Sequence, residues 1–148
     1  LTGADLTGAN LTGANLRGAK LTNVILKSSN LGKANLTGAS AAKADFTNAS
    51  GIRANLSYIN LTGATLVNTN LTSAKLTSSY LLQANLTGAN LSSITAMYSN
   101  MTSVNLTSAN LTNATIDYAF MFGAITTGAV QTGAIFTGTQ MPNGTIQP

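Results

Sequence analysis

The 148-residue chain contains no cysteine, no histidine and no tryptophan, and only three acidic residues, Asp5, Asp45 and Asp117. Without cysteine there is no disulfide frame, thiolate nucleophile or thiolate zinc site, and without histidine no imidazole base and no common metal ligand. Three carboxylates leave a hydrolase little to work with, and Asp5 and Asp45 lack the partner base or nucleophile that acid–base chemistry requires. No cofactor or metal site is expected, and the chain reads as non-enzymatic. Charged residues make up only 7% of the chain, and no apolar run is long enough to insert in a membrane.

The 44% hydrophobic content and a mean hydropathy of +0.21 are too apolar for a chain that stays unfolded. The net charge is +4 but unevenly spread. Seven cations less Asp5 and Asp45 leave +5 in residues 1–75, while Asp117 alone gives −1 in the remainder. Lys33 and Arg53 stand twenty residues apart, and Arg17, Lys20, Lys27 and Lys43 are scattered. Such cations read as a solvated face rather than the concentrated stripe that nucleic acid requires.

A period of five organises the chain from Leu1 to about Met141. The large residue of each block, its centre, falls at 1, 6, 11 and onward to 141, and 18 of these 29 positions are Leu. The position two residues before the centre is Ala in 19 of 28 blocks. The residue between is mostly Asn or Asp, and the two after the centre are mostly Thr or Ser, then Gly, Ser or Asn. In a helix, five residues turn about 500° and would scatter the Leu around the axis; in one straight strand they would alternate faces. A short extended piece followed by a bend keeps Ala and Leu inside and Asn outside at every block. A chain that bends after each block with Leu always inward must coil into a solenoid.

The unbroken A-(N/D)-L-x-x register, as in Ala84-Asn85-Leu86-Thr87-Gly88 and Ala109-Asn110-Leu111-Thr112, resembles the pentapeptide-repeat proteins over nearly the whole chain. The resemblance implies an all-β, right-handed quadrilateral β-helix with four blocks per coil. That makes about seven coils and a rod of roughly 35 Å at strand spacing. Residues 1–141 are expected to form the β-helix and 142–148 a C-terminal turn and tail, since Pro142 and Asn143-Gly144 break the pattern. Leu6, Leu66, Leu86, Leu106 and Phe46 define the expected core. Ala41, Phe46, Gly51 and Leu56 would be the centres of one coil, the large Phe46 offset by undersized neighbours, and Ile94 would compensate Ala96 in the same way.

Residues twenty apart should stack into outward columns. Asn10, Asn30, Asn70, Asn90 and Asn110 form one, and Asn15, Asn35 and Asn55 begin another; these amides are expected to bridge coils by hydrogen bonds. Asn-Leu-Thr triplets also fit the glycosylation pattern, but a repeat reading A-N-L-T-G produces them automatically. Tyr58, Tyr98 and Tyr118 share a column, with Tyr80 two positions around the corner and Phe120 and Phe122 extending the cluster. These six are the candidate interaction surface, for a protein partner or for stacking on sugars, against the alternative that tyrosine packs along a neighbouring turn. Ile125, Val130 and Ile135 fall on outward positions while Thr126 and Gln131 occupy centres. This is either a terminal coil adapting to solvent or an apolar collar for a partner chain.

The expected role is a rigid scaffold or protein-interaction module, with an end-to-end homodimer possible through either end of the stack. Some members of the family imitate DNA and bind type II topoisomerases, which needs an acidic surface that a +4 chain lacks. The Thr-, Ser- and Asn-rich arrays resemble exported cyanobacterial members of periplasm or thylakoid lumen. A start at Leu1 fits removal of a targeting peptide, or equally a trimmed chain.

Overall fold

The computed structural model describes residues 1–148. Each five-residue block folds identically, and the cause is local. The carbonyl of the centre accepts from the N–H three residues on, as from Ala89 to Leu86 at 3.0 Å. This closes a turn whose third residue has positive φ, the requirement of a type II turn. All 28 such positions from residue 3 to residue 138 have φ above zero, 11 of them Gly and 17 carrying a side chain. Between turns a three-residue extended segment forms a face, too short to pair as more than a single bridge.

Those bridges fix the architecture. Asp5 pairs in parallel with Ile25, Ile25 with Asp45, and so on around four faces to Phe120 with Gln140, always twenty residues on. The coil therefore has four sides and twenty residues, and residues 1–140 make seven coils. Within each block three hydrogen bonds tie neighbouring coils. Leu86 N–H donates to Asn105 O at 2.8 Å, Asn105 N–H returns to Ala84 O at 3.0 Å, and Gly88 N–H reaches Thr107 O at 2.9 Å. We number the faces by their bridging residues in the first coil: Asp5 on the first, Asn10 on the second, Asn15 on the third, Lys20 on the fourth.

The Leu and Ala columns form one continuous buried core of 37 residues running along the axis. Leu66, Leu86, Leu106 and Phe46 lie in it, almost wholly buried. Leu6 does not: it is only half-buried against the core. It belongs to the first coil, which is covered on one side only, and there Leu1 is 60% exposed. Where a centre is preceded by a hydroxyl residue instead of Ala, the buried hydroxyl is satisfied by a carbonyl. Ser29 donates to Leu26 O at 2.7 Å, and Thr69 donates to Phe46 O at 2.8 Å.

Phe46 is accommodated as volume conservation demands, though by two layers rather than one. Ala41 and Gly51 flank it in its own coil, and Leu71 of the next coil fills the room above Gly51. A Cβ on Gly51 would lie 2.8 Å from Leu71 Cδ2. What remains is a void of about 10 Å³ lined by Phe46, Leu31, Leu71 and their neighbours.

Past Gln140 the chain reverses. Met141 N–H bonds Thr145 O at 2.7 Å, and Ile146 pairs antiparallel with Gln140. Gly138 N–H reaches Gln147 O, and Gln147 N–H reaches Thr139 O. The final residues thus lie as an antiparallel strand over the fourth face of the last coil. On its other faces Ile125, Val130 and Ile135 stand half exposed.

Candidate functional site

The outward Asn and Asp residues do not bridge coils, contrary to the expectation from their stacking. Each side-chain oxygen turns along its own chain and accepts from the residue two ahead. Asn85 Oδ1 takes the Thr87 N–H at 3.1 Å and the Thr87 hydroxyl at 2.7 Å. Asn10, Asn35, Asn70, Asn105 and Asn110 repeat the pattern with a Thr two residues on. The column is a stack of Asx turns, each pinning the bend that follows it. Local geometry wins because the N–H of the turn's second residue has no partner in the adjacent coil. The Asn-x-Thr spacing set aside as a false glycosylation signal was the readable trace of this bond.

Asp5 and Asp45 make the same turns with Thr7 and Thr47. They lie two coils apart on the first face with Ile25 between them. The Thr7 hydroxyl and amide hold the exposed Asp5 carboxyl below its ordinary value. Partial burial pushes Asp45 up, but the Thr47 hydroxyl and amide and the Lys27 ammonium more than offset it, so its pKa is also lowered. Lys27 Nζ sits 3.2 Å from Asp45 Oδ2. Nothing in this arrangement supplies an acid–base pair.

The six exposed aromatic side chains gather on one side of the solenoid. Tyr58, Tyr98 and Tyr118 occupy the positive-φ position of the corner between the third and fourth faces. Tyr80 and Phe120 are outward on the fourth face, two coils apart with Asn100 between. Phe122 stands at the next corner. All six are about half exposed, and every exposed aromatic of the chain is among them. Leu82, one turn position on from Tyr80 and part-buried, belongs to the same surface and was missed because a lone Leu outside the centre column gives no periodic signal.

Side chains at the positive-φ position lean onto the following coil. Tyr98 stacks on Tyr118 with ring centroids 5.3 Å apart and planes 11° from parallel. Tyr118 in turn lies over Gly138, where a Cβ would fall 2.5 Å from a ring carbon; only glycine allows that approach. Tyr118 thus does pack along a neighbouring turn, as the alternative reading held, and still leaves half its area exposed. Twenty residues after Tyr58 the column holds Ser78 rather than an aromatic, so Tyr58 stands apart from the stacked pair. Few charges share this side: Asp117 lies beside Tyr118, and Lys43 stands at the corner after the fourth face in the coil of Tyr58. The Asp117 carboxylate accepts from Thr137 N–H at 3.0 Å.

The family described as pentapeptide repeats matches residues 1–27, 29–66 and 54–92 in eight copies. The chain belongs to the pentapeptide-repeat family. Its solved structural relatives include HetL, a pentapeptide repeat protein involved in heterocyst differentiation regulation in the cyanobacterium Nostoc sp. strain PCC 7120. The match has 28% identity and a TM-score of 0.55 and covers 99% of this chain and 89% of HetL. A second is Rfr23 from the cyanobacterium Cyanothece 51142, with 25% identity, a TM-score of 0.52 and 90% and 88% coverage. QnrB1, a plasmid-mediated fluoroquinolone resistance protein, shares the fold at 17% identity and a TM-score of 0.58, over 92% of this chain and 72% of that one. No curated protein sequence matches the chain.

Proposed function

We propose that this protein is a non-enzymatic, rigid right-handed quadrilateral β-helix that acts as a scaffold and docks another protein on its fourth face. One observation carries the reading: all the exposed aromatics of the chain, Tyr58, Tyr80, Tyr98, Tyr118, Phe120 and Phe122, lie on one side of the solenoid. Aromatic side chains cost little conformational entropy to fix and dominate interface energetics. Here they project from a backbone that inter-coil hydrogen bonds hold on every face. Fold and family support a presenting surface; they supply no catalytic group.

The DNA-mimic role finds no acidic stripe, since Lys27 at the neighbouring corner pairs with Asp45 and Asp117 stands alone. The same reading places the protein outside the cytoplasm, in periplasm or thylakoid lumen, on the Thr-, Ser- and Asn-rich composition that resembles exported members of the family.

The test compares wild type with a Tyr58→Ser/Tyr98→Ser/Tyr118→Ser variant in affinity capture from the source organism's extracts, read by mass spectrometry. A protein retained by wild type and lost by the variant is the expected result. A glycan-array signal that disappears with Tyr98→Ser would replace the protein partner by a carbohydrate. Identical retention by both proteins would leave the tyrosines as packing.

A second reading rests on the half-exposed Ile125, Val130 and Ile135 around the last coil: two copies joined end to end through that collar. Sedimentation of wild type as a dimer and of Val130→Lys as a monomer is the outcome it expects, and a monomeric wild type at high concentration would remove it.

A further inference from the structure

A recess unrelated to the aromatic side opens at the corner between the second and third faces, in the first to fourth coils. Its lining includes Lys33, Arg53, Asn30, Ser50, Thr72 and Ser73, together with Gly32 and the exposed Ile52. Its volume of about 380 Å³ falls in the range of small-molecule sites.

Its origin is one residue. The second position of the block holds a residue with a side chain throughout the repeat, most often Thr, except at Gly32. The missing side chain leaves a notch directly beside Lys33. A Cβ there would stand 3.2 Å from Asn30 Oδ1, the same oxygen that accepts the Gly32 N–H at 3.0 Å. The Asn30 amide is thereby fixed through its oxygen, so its two N–H donors stay available.

The charges point the same way. Lys33 and Arg53 occupy successive positions of one column, a single coil apart, and Lys75 stands on the third face in the coil after Arg53. Both Lys33 and Arg53 hold positive-φ backbone, at 58° and 59°, in a column that opens with Gly13 and closes with Gly133. No acid shares this side: Asp5 and Asp45 are on the first face, opposite the third, and Lys27 is the cation that pairs with Asp45. Lys33 and Arg53 rise from adjacent coils whose backbones lie about one strand spacing, roughly 4.8 Å, apart. Like charges side by side repel each other, and an anion set between them removes that repulsion while accepting their hydrogen bonds.

We infer that this recess binds a tetrahedral oxyanion, a sulfate or phosphate group either free or as the ester of a larger molecule. The Arg53 guanidinium and Lys33 ammonium supply the charge-assisted donors, the Ser50 and Ser73 hydroxyls and the Asn30 amide supply neutral ones, and the Gly32 notch gives the room.

Isothermal titration at low ionic strength with inorganic sulfate, inorganic phosphate and a sulfated disaccharide tests the assignment. The expected result is saturable binding of at least one probe, weakened about tenfold by Lys33→Gln or Arg53→Gln. Gly32→Thr, which fills the notch at unchanged net charge, should weaken it as well, while Lys20→Gln and Lys43→Gln leave it intact. Thermal melts of each variant establish that it is folded. Binding of the inorganic ions identifies a free-ion site, and binding of the disaccharide alone identifies a sulfate ester. Equal weakening by Lys20→Gln or Lys43→Gln, full binding by Gly32→Thr, or no saturable binding of any probe overturns the inference.

Discussion

At the scale of single residues, the outward Asn is the working part of each block. Its side-chain oxygen accepts two bonds from the Thr two residues ahead, so Asn85→Ala removes both at once and leaves the Thr87 N–H without a partner in the chain. The expected loss is about 1 kcal/mol, read as a lower denaturant midpoint with an unchanged slope, and Thr87→Val should give a smaller loss because the backbone bond survives. The two aspartates in this position add a pH dependence. Their folded pKa values lie below the ordinary 3.8. Their contribution is therefore fully present above the unfolded value and is lost as pH falls through the depressed folded values. Melting temperature should stay flat from neutral pH to about 5 and decline below 3.8, with Asp45→Asn reducing the decline. A decline already complete above pH 5 would contradict the assignment.

One scale up, the element is the corner, and its demand is a positive φ at every fifth residue. Where the native residue is Gly, as at Gly38 with φ of +68° and nothing within 4 Å of a built Cβ, the conformation costs little. Gly38→Ala isolates the backbone term and should destabilise by about 1 kcal/mol, with no clash to confuse the result. The interior coils tolerate seventeen side chains in this conformation. The first and last coils have Gly at all four corners: 3, 8, 13 and 18, then 123, 128, 133 and 138. A terminal coil is hydrogen-bonded to a neighbour on one side only, so less holds a strained corner in place there.

For the molecule as a whole, stability runs along the axis, because each coil contacts only its neighbours. Leu66 is buried between the coils on either side of its own, and Leu66→Ala should cost about 2–5 kcal/mol. Leu6→Ala should cost clearly less, since that side chain is half-buried in a coil covered on one side. Chemical denaturation of the two variants side by side measures this gradient, and equal losses would contradict a one-dimensional stack. Leu66→Asp should shift the melting curve steeply; an unchanged curve would be incompatible with the buried Leu column.

The sequence by itself determined the coil. A Leu every five residues with Ala two before it can be buried only by a chain that bends after each block. The small Ala41 and Gly51 beside Phe46 were legible because buried volume is conserved; the part played by Leu71 of the next coil was not. The aromatic column was legible too, once the family resemblance supplied four blocks per coil and so converted residue number into position. Other features depended on contacts between coils or on angles that spacing does not encode. The Asn oxygens chose a neighbour two residues away over one twenty away because a turn N–H lay unpaired beside them. Tyr98 stacked on Tyr118 and Tyr118 on Gly138 because positive-φ side chains lean toward the following coil. The notch at Gly32 became a recess only when Lys33 and Arg53 were set around it. The five-residue period fixes which residues face inward and which outward; the four-sided coil sets which of them share a column, and only the folded backbone fixes where their side chains point.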